Sequence, residues 1–223
     1  MAENCSAAQK AYETIRDEIV LQKLTPGSII VESDYGEKLG MSRTPVREAL
    51  KRLSNEGFVS IIPRKGAIVS SYSLKDMLMC HEIARDIDGA LCANLARAVR
   101  SGELSADALS PLLGLCGEME KRLAEGDIRG WTECDSRFHR MLIGLCQNPY
   151  IVMCASQIRM HLTRVLWFVT PAHIDKSRSN AEHRETVEAI AAGCENAARK
   201  AAMSQSERIS QELRGLFAGM GGL

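Results

Sequence analysis

No run of eighteen apolar residues occurs anywhere in the 223-residue sequence. A helix needs roughly 20 such residues to cross a bilayer, so no membrane-spanning segment is expected. The first residues, "MAENCSAAQKAYETIRDEI", lack an apolar core and carry early acids. They do not read as an export signal, and the expected location is the cytoplasm. Net charge is also missing, with 28 Lys and Arg against 28 Asp and Glu. That balance argues against a general nucleic-acid coat. The eight cysteines (Cys5, Cys80, Cys92, Cys116, Cys134, Cys146, Cys154 and Cys194) include no C-x-x-C pair. They read as small hydrophobes kept reduced in helices. H-E-x-x-H, G-x-S-x-G and the phosphate-binding loop are all absent, so no enzyme is expected.

What the chain does have is charge gathered locally. Residues 43–65 hold Arg43, Arg47, Lys51, Arg52, Arg64 and Lys65 against only Glu48 and Glu56. A footprint on DNA needs no more than such a local excess. Around it the first 74 residues alternate apolar periods with breakers. Residues 8–24 place Ile15, Ile19 and Leu24 near helical spacing, and Pro26-Gly27 stops that helix. "VESDYGEKLG" forms a second short helix closed by Gly40. In the third, Ser42 stands at the N-cap, Pro45 falls in the first turn, and Val46, Leu50 and Leu53 form the buried stripe. "FVSIIP" and "GAIVSSY" then flank "RKG" as a hairpin. Three helices and a hairpin in this order make a winged helix-turn-helix. The N-terminal end of its third helix would enter the major groove, where an Arg bonds guanine O6 and N7. Arg43, Thr44 and Arg47 lie at that end; Arg64, Lys65 and Gly66 form the wing tip. Gly66 is expected to let the main chain come close to DNA.

From residue 75 to 223 strand-like alternation disappears. Helices are predicted near 74–100, 105–125, 128–146, 149–170, 177–193 and 195–217, separated by "RSGELS", "EGD", "QNP" and "TPAHIDKS". Six helices of this length form an antiparallel bundle that can enclose a small-molecule cavity. The fold class is therefore mainly α: a winged helix-turn-helix over 1–74, then an all-α bundle for effector binding and dimerisation over 75–223. Histidine is scarce, and three of five bear on the site. Asp135 and His139 share a helix face at i and i+4, where an oxygen and a nitrogen can hold one metal or simply a hydrogen bond. His183 lies on a later helix.

Both halves resemble a known family. Leu24-x-Pro26-Gly27, Leu39-Gly40-x-Ser42-Arg43-x-Pro45-Val46-Arg47-x-Ala49-Leu50, Glu56-Gly57 and Gly66 resemble the DNA-binding domain of GntR-type bacterial transcription regulators. Tyr35-Gly36 departs from the usual Leu-Ala, and Gly36 is expected to loosen the second helix. Glu82-Ile83, Asp88-Gly89, Asp135-x-x-Phe138-His139, Asn148-Pro149 and Glu182-His183-Arg184 resemble the FCD effector domain of the FadR subfamily. The resemblance implies an operator-binding homodimer, a repressor governed by a small organic acid. It also implies a divalent metal, zinc first and nickel or manganese next, on Asp135, His139 and His183. The family's fourth histidine is replaced near Gln205 and Ser206, and His161 is the candidate substitute. Arg85 neighbours the Ala84 that replaces a family arginine. With Arg164 it is the expected effector contact; Arg159 and Trp167 could also face a ligand. The alternatives are a metal-dependent hydrolase, for which no general base is evident, and a metal-free ligand pocket.

Overall fold

The computed structural model describes residues 6–21, 23–63, 65–71, 74–169 and 174–218, leaving aside the side chains of 20, 74, 76, 77, 163–169 and 216–218. They form two compact units, Met1–Ser73 and Leu74–Leu223.

In the first unit, helix α1 (Ala7–Val20) starts at Ser6, whose hydroxyl accepts from the Gln9 amide at 3.2 Å. It buries Ala11, Tyr12, Ile15 and Ile19, a helical stripe. Leu24 falls beyond its end. Helix α2 (Glu32–Leu39) ends at Gly40, left-handed at φ 64°. Helix α3 (Arg43–Asn55) buries Val46, Ala49, Leu50 and Leu53. Ser42 does occupy its N-cap, although its side chain makes no capping bond.

Strands β2 (Val59–Ile62) and β3 (Gly66–Val69) form the expected hairpin, with Ile62 opposite Gly66. A third strand, β1 (Ile29–Ile30), joins the far edge of β3 and was not anticipated. Two residues are too few to show the period of two by which a strand is read.

Gly36 does the opposite of loosening α2. It is buried, and a Cβ there would lie 2.8 Å from the Met41 carbonyl. Its bare backbone lets the α2–α3 turn close, with the Met41 amide donating to the Gly36 carbonyl at 2.8 Å. Tyr35 ties the helix down from the other side. Its hydroxyl donates to Glu18 of α1 at 2.5 Å, and Lys38 reaches the same carboxylate at 2.6 Å.

The second unit is helical throughout its described residues: α4 (Leu74–Ser101), a 3-10 turn (Ala106–Leu109), α5 (Ser110–Ala124), α6 (Ile128–Gly144), α7 (Pro149–Val169), α8 (Lys176–Ala191) and α9 (Glu195–Ala218). Side-chain caps open three of them. Asp127 accepts from the Gly130 amide, Asn148 from Tyr150 and Ile151, and Asp175 from Arg178. Leu91, Leu95, Leu112, Cys116, Met119, Trp131, Phe138, Leu142, Val187 and Ile190 make the core. Each large one contributes roughly 1.5–3 kcal/mol by leaving water. Cys92, Cys116, Cys134 and Cys146 are buried free thiols as expected, whereas Cys154 and Cys194 are exposed. No described helix is long and apolar enough to cross a membrane.

Candidate nucleic-acid interface and metal-binding cavity

Because Val46, Leu50 and Leu53 fix the inward face of α3, Arg43, Arg47 and Lys51 are carried outward one turn apart. Thr44 is exposed beside them. These cations line an open groove of about 670 Å³ that Lys65 and Gly66 of the hairpin close on one side and Glu32 of α2 on another. Arg47 is held by Glu32, with Nε at 2.8 and 3.1 Å from the two carboxylate oxygens and Nη2 at 2.6 Å. The pair pulls the Glu32 carboxyl below its ordinary value and raises the Arg47 guanidinium. Gly66 has φ 108°, and a Cβ there would lie 2.1 Å from the Ile30 carbonyl. The adjacent strand β1 therefore demands glycine at this position, whatever DNA requires of it.

In the second unit, α6 and α8 bring Asp135, His139 and His183 together, with one ligand atom from each within 4.8 Å of the others. His183 Nε2 lies 2.9 Å and His139 Nε2 3.7 Å from the same Asp135 oxygen. A tetrahedral ion with bonds near 2.0–2.1 Å sets its ligands about 3.3 Å apart, which these separations bracket. Phe138 stacks on His183 at 4.3 Å and holds the ring in place. Gln205 of α9 donates its amide to His183 Nδ1 at 3.2 Å.

Burial opposes charge on Asp135, but His139, the His183 hydrogen bond and Arg159 outweigh it and hold the carboxyl down at about 2. Burial and Arg159 push His139 below its usual range, while Asp135 opposes them. The cluster opens on a cavity of about 30 Å³. Trp131, His81, Arg159 and Gln205 share its wall. Arg159 bonds Asp88 of α4 at 2.5 Å. Trp131, 1% exposed, donates its indole N–H to Asn180 at 2.8 Å. His81 is buried, with Nδ1 unpartnered among the described residues, and burial and Arg159 pull its pKa down to about 4.

Residues 7–69 match the bacterial regulatory proteins of the gntR family, and residues 78–206 match the FCD domain. The chain belongs to the GntR family of transcription regulators and carries an FCD domain. This GntR regulator is 35% identical over 133 residues to an uncharacterized HTH-type transcriptional regulator of Agrobacterium vitis, covering 60% of this chain and 77% of that one. It is 28% identical to a Streptomyces ambofaciens regulator over 93% of its own length and 88% of the relative's. The Escherichia coli transcriptional repressor RspR is 26% identical over 62% of this chain and 60% of that protein. Among solved structures, Escherichia coli McbR/YncC matches with TM-score 0.78 at 18% identity, covering 95% of this chain and 99% of that one. A Rhodococcus regulator matches at 0.74 and 21%, covering 93% and 97%. These two likenesses show the fold. The family is one of regulators, as the absence of enzyme motifs led one to expect.

In the GntR regulator, Asp135, His139 and His183 form one cluster, while His161 stands outside it. His161 comes two positions after Arg159 on α7, about 200° around the helix, so when Arg159 faces the cavity His161 is turned from it. Gln205, near which the family's fourth histidine was expected, lies 3.2 Å from His183 Nδ1. Arg85 is also placed elsewhere. It bonds Asp86 at 3.1 Å and reaches Glu207 of α9 at 3.5 Å, away from the cavity wall. Arg64, and the side chains of Arg164 and Trp167, lie outside the described residues. His81 was not singled out as a site residue. Its only signal was its place three residues before Ala84 and seven before Asp88, on one helix face.

Proposed function

We propose that this regulator binds a double-stranded operator as a homodimer and that a small organic acid bound in the FCD domain controls the binding. Arg43, Thr44 and Arg47 of α3 read the major groove; Arg64, Lys65 and Gly66 of the wing contact the neighbouring backbone or minor groove. Dimeric heads of this kind meet half-sites about one helical turn apart. Repression relieved by the effector is the proposed sense, in keeping with the repressor name of RspR. The coupling between the two sites would be typically 1–3 kcal/mol. The location follows from the role: the cytoplasm, where the DNA is.

One observation carries the control half of the proposal. Asp135 and His139 line a cavity whose wall also carries the cationic guanidinium of Arg159, and the buried His183 completes their cluster. Their donor set, one oxygen and two nitrogens, suits zinc, with nickel or manganese next. Asp135, His139 and His183 would hold the ion, which supplies a positive centre for a carboxylate oxygen. A second reading has support of its own. The Gln205–His183–Asp135 hydrogen-bond chain is complete without an ion, so the histidines could meet the effector directly.

Elemental analysis of the purified protein separates the two. His139→Ala and His183→Ala should each lose the metal; metal-free wild type supports the direct pocket. A thermal-shift screen against hydroxy, sugar, amino and aromatic acids tests the effector class. Any hit is expected to release the protein from an operator found by in-vitro selection. Arg43→Ala and Arg47→Ala should each abolish specific retardation of that operator. Full affinity in both variants would remove the DNA assignment.

A further inference from the structure

The groove of the winged unit contains one side chain of the wrong sign for a surface that meets phosphate. Glu32, the first residue of α2, stands among Arg43, Arg47, Lys51 and Lys65. An acid in the first turn of a helix favours the dipole, which alone would explain it. The geometry shows more. Glu32 does not lie loosely near the cations: it grips Arg47 through three bonds, at 2.8, 3.1 and 2.6 Å, all to Nε and Nη2. A guanidinium has five N–H donors in a rigid plane and two usable forks. The carboxylate takes the side fork. The end fork, formed by Nη1 and the second hydrogen of Nη2, is left over. That end fork presents two parallel N–H donors, which can pair with guanine O6 and N7. A carboxylate that merely competed with DNA would gain most by covering it.

We infer that Glu32 is a specificity-determining residue, which holds Arg47 by its side edge so that the end edge is presented to a guanine. A free arginine keeps about 2 kcal/mol of rotamer entropy and can fold onto the nearest phosphate as easily as onto a base. A tethered one loses that choice. The negative charge acts in the same direction, because it opposes phosphate while three further cations keep the groove attractive to DNA. The inference rests on the reading that Arg47 meets a base.

The test uses the full chain, an operator selected in vitro, the same duplex with each guanine of the half-site replaced in turn, and a random duplex, all at one salt concentration. Binding is followed by fluorescence anisotropy. Glu32→Ala is expected to lower the ratio of operator to random affinity about tenfold, the scale of one bidentate base contact. Its affinity for random duplex should hold or rise. The guanine whose replacement costs wild type most should cost this variant little, and the Glu32→Ala, Arg47→Ala double variant should be no worse than Arg47→Ala alone. Glu32→Gln, which keeps the size of the side chain and guards against a folding defect, should lower the ratio in the same direction. If Arg47→Ala leaves every guanine preference intact, the underlying reading of Arg47 fails. If Arg47→Ala removes a preference while Glu32→Ala keeps the wild-type ratio, the role given to Glu32 fails. Equal tightening on both duplexes would make Glu32 a competitor of DNA and overturn it as well.

Discussion

Two residues show how local demands are set by neighbours the sequence does not announce. Gly66 looks in the sequence like a wing glycine kept for the approach of DNA. In the fold, β1 runs beside β3 so closely that a methyl group would meet the Ile30 carbonyl, and the backbone is in the region that glycine favours. Gly66→Ala is expected to cost more than about 2 kcal/mol of stability, because strain and steric overlap add. Urea denaturation would measure it, and loss of DNA binding without loss of stability would contradict it. His81 makes a second case. Its folded pKa of about 4 lies below the ordinary 6.5, so it is neutral where buried. The unfolded chain therefore takes up a proton first as the medium becomes acid. Stability from this residue is complete above pH 6.5 and is lost as pH falls toward 4, by up to about 3 kcal/mol at 1.36 per unit. His81→Leu should flatten that acid limb, as read from urea midpoints at neutral pH and near pH 5.

At the scale of elements, one side chain ties α8 to α9 directly behind the cluster. Arg208 of α9 bonds both oxygens of Glu182 at 2.6–3.1 Å, Glu212 at 2.6 Å and the Ser179 hydroxyl at 2.8 Å. Its side chain is 9% exposed and that of Glu182 15%. Glu182 precedes His183, and Arg208 follows Gln205 by three residues, so the tie sets the distance across which Gln205 reaches the histidine. Among the described residues, Arg208→Met leaves Glu182 with the Arg178 ion pair at 3.4 Å. The expected cost is about 3 kcal/mol, as for other broken buried pairs. Denaturation should show it.

The helices themselves were legible. The breaks at "RSGELS", "EGD", "QNP" and "TPAHIDKS" placed six within a few residues of where they lie, because a 3.6-residue period and its punctuation are local. Which helices converge is not local. Periodicity says that a face points inward, not which neighbour it meets. His161 was accordingly assigned to a cluster it does not join, and Arg85 to a cavity it turns from.

For the whole molecule, neutrality and DNA binding are compatible because the cations are placed rather than numerous. Each winged unit gathers Arg43, Arg47, Lys51 and Lys65 at one groove. With Arg64 of the wing, the proposed dimer has ten, so the logarithm of operator affinity should fall with the logarithm of salt at a slope no steeper than about −9, taking 0.9 per phosphate contact. Anisotropy titrations across a salt series would show it. A much steeper slope would mean that cations outside this groove carry the binding.

Trp131 gives the second unit a use beyond its fold. One of only two tryptophans in the chain, it is sealed from water and forms part of the cavity wall. With Trp167→Phe removing the other fluorophore, the emission of a single indole would report on that chamber. An occupant that pushed the wall outward or broke the Asn180 bond would change its colour or its brightness, giving an optical reading of effector entry that needs neither DNA nor a label.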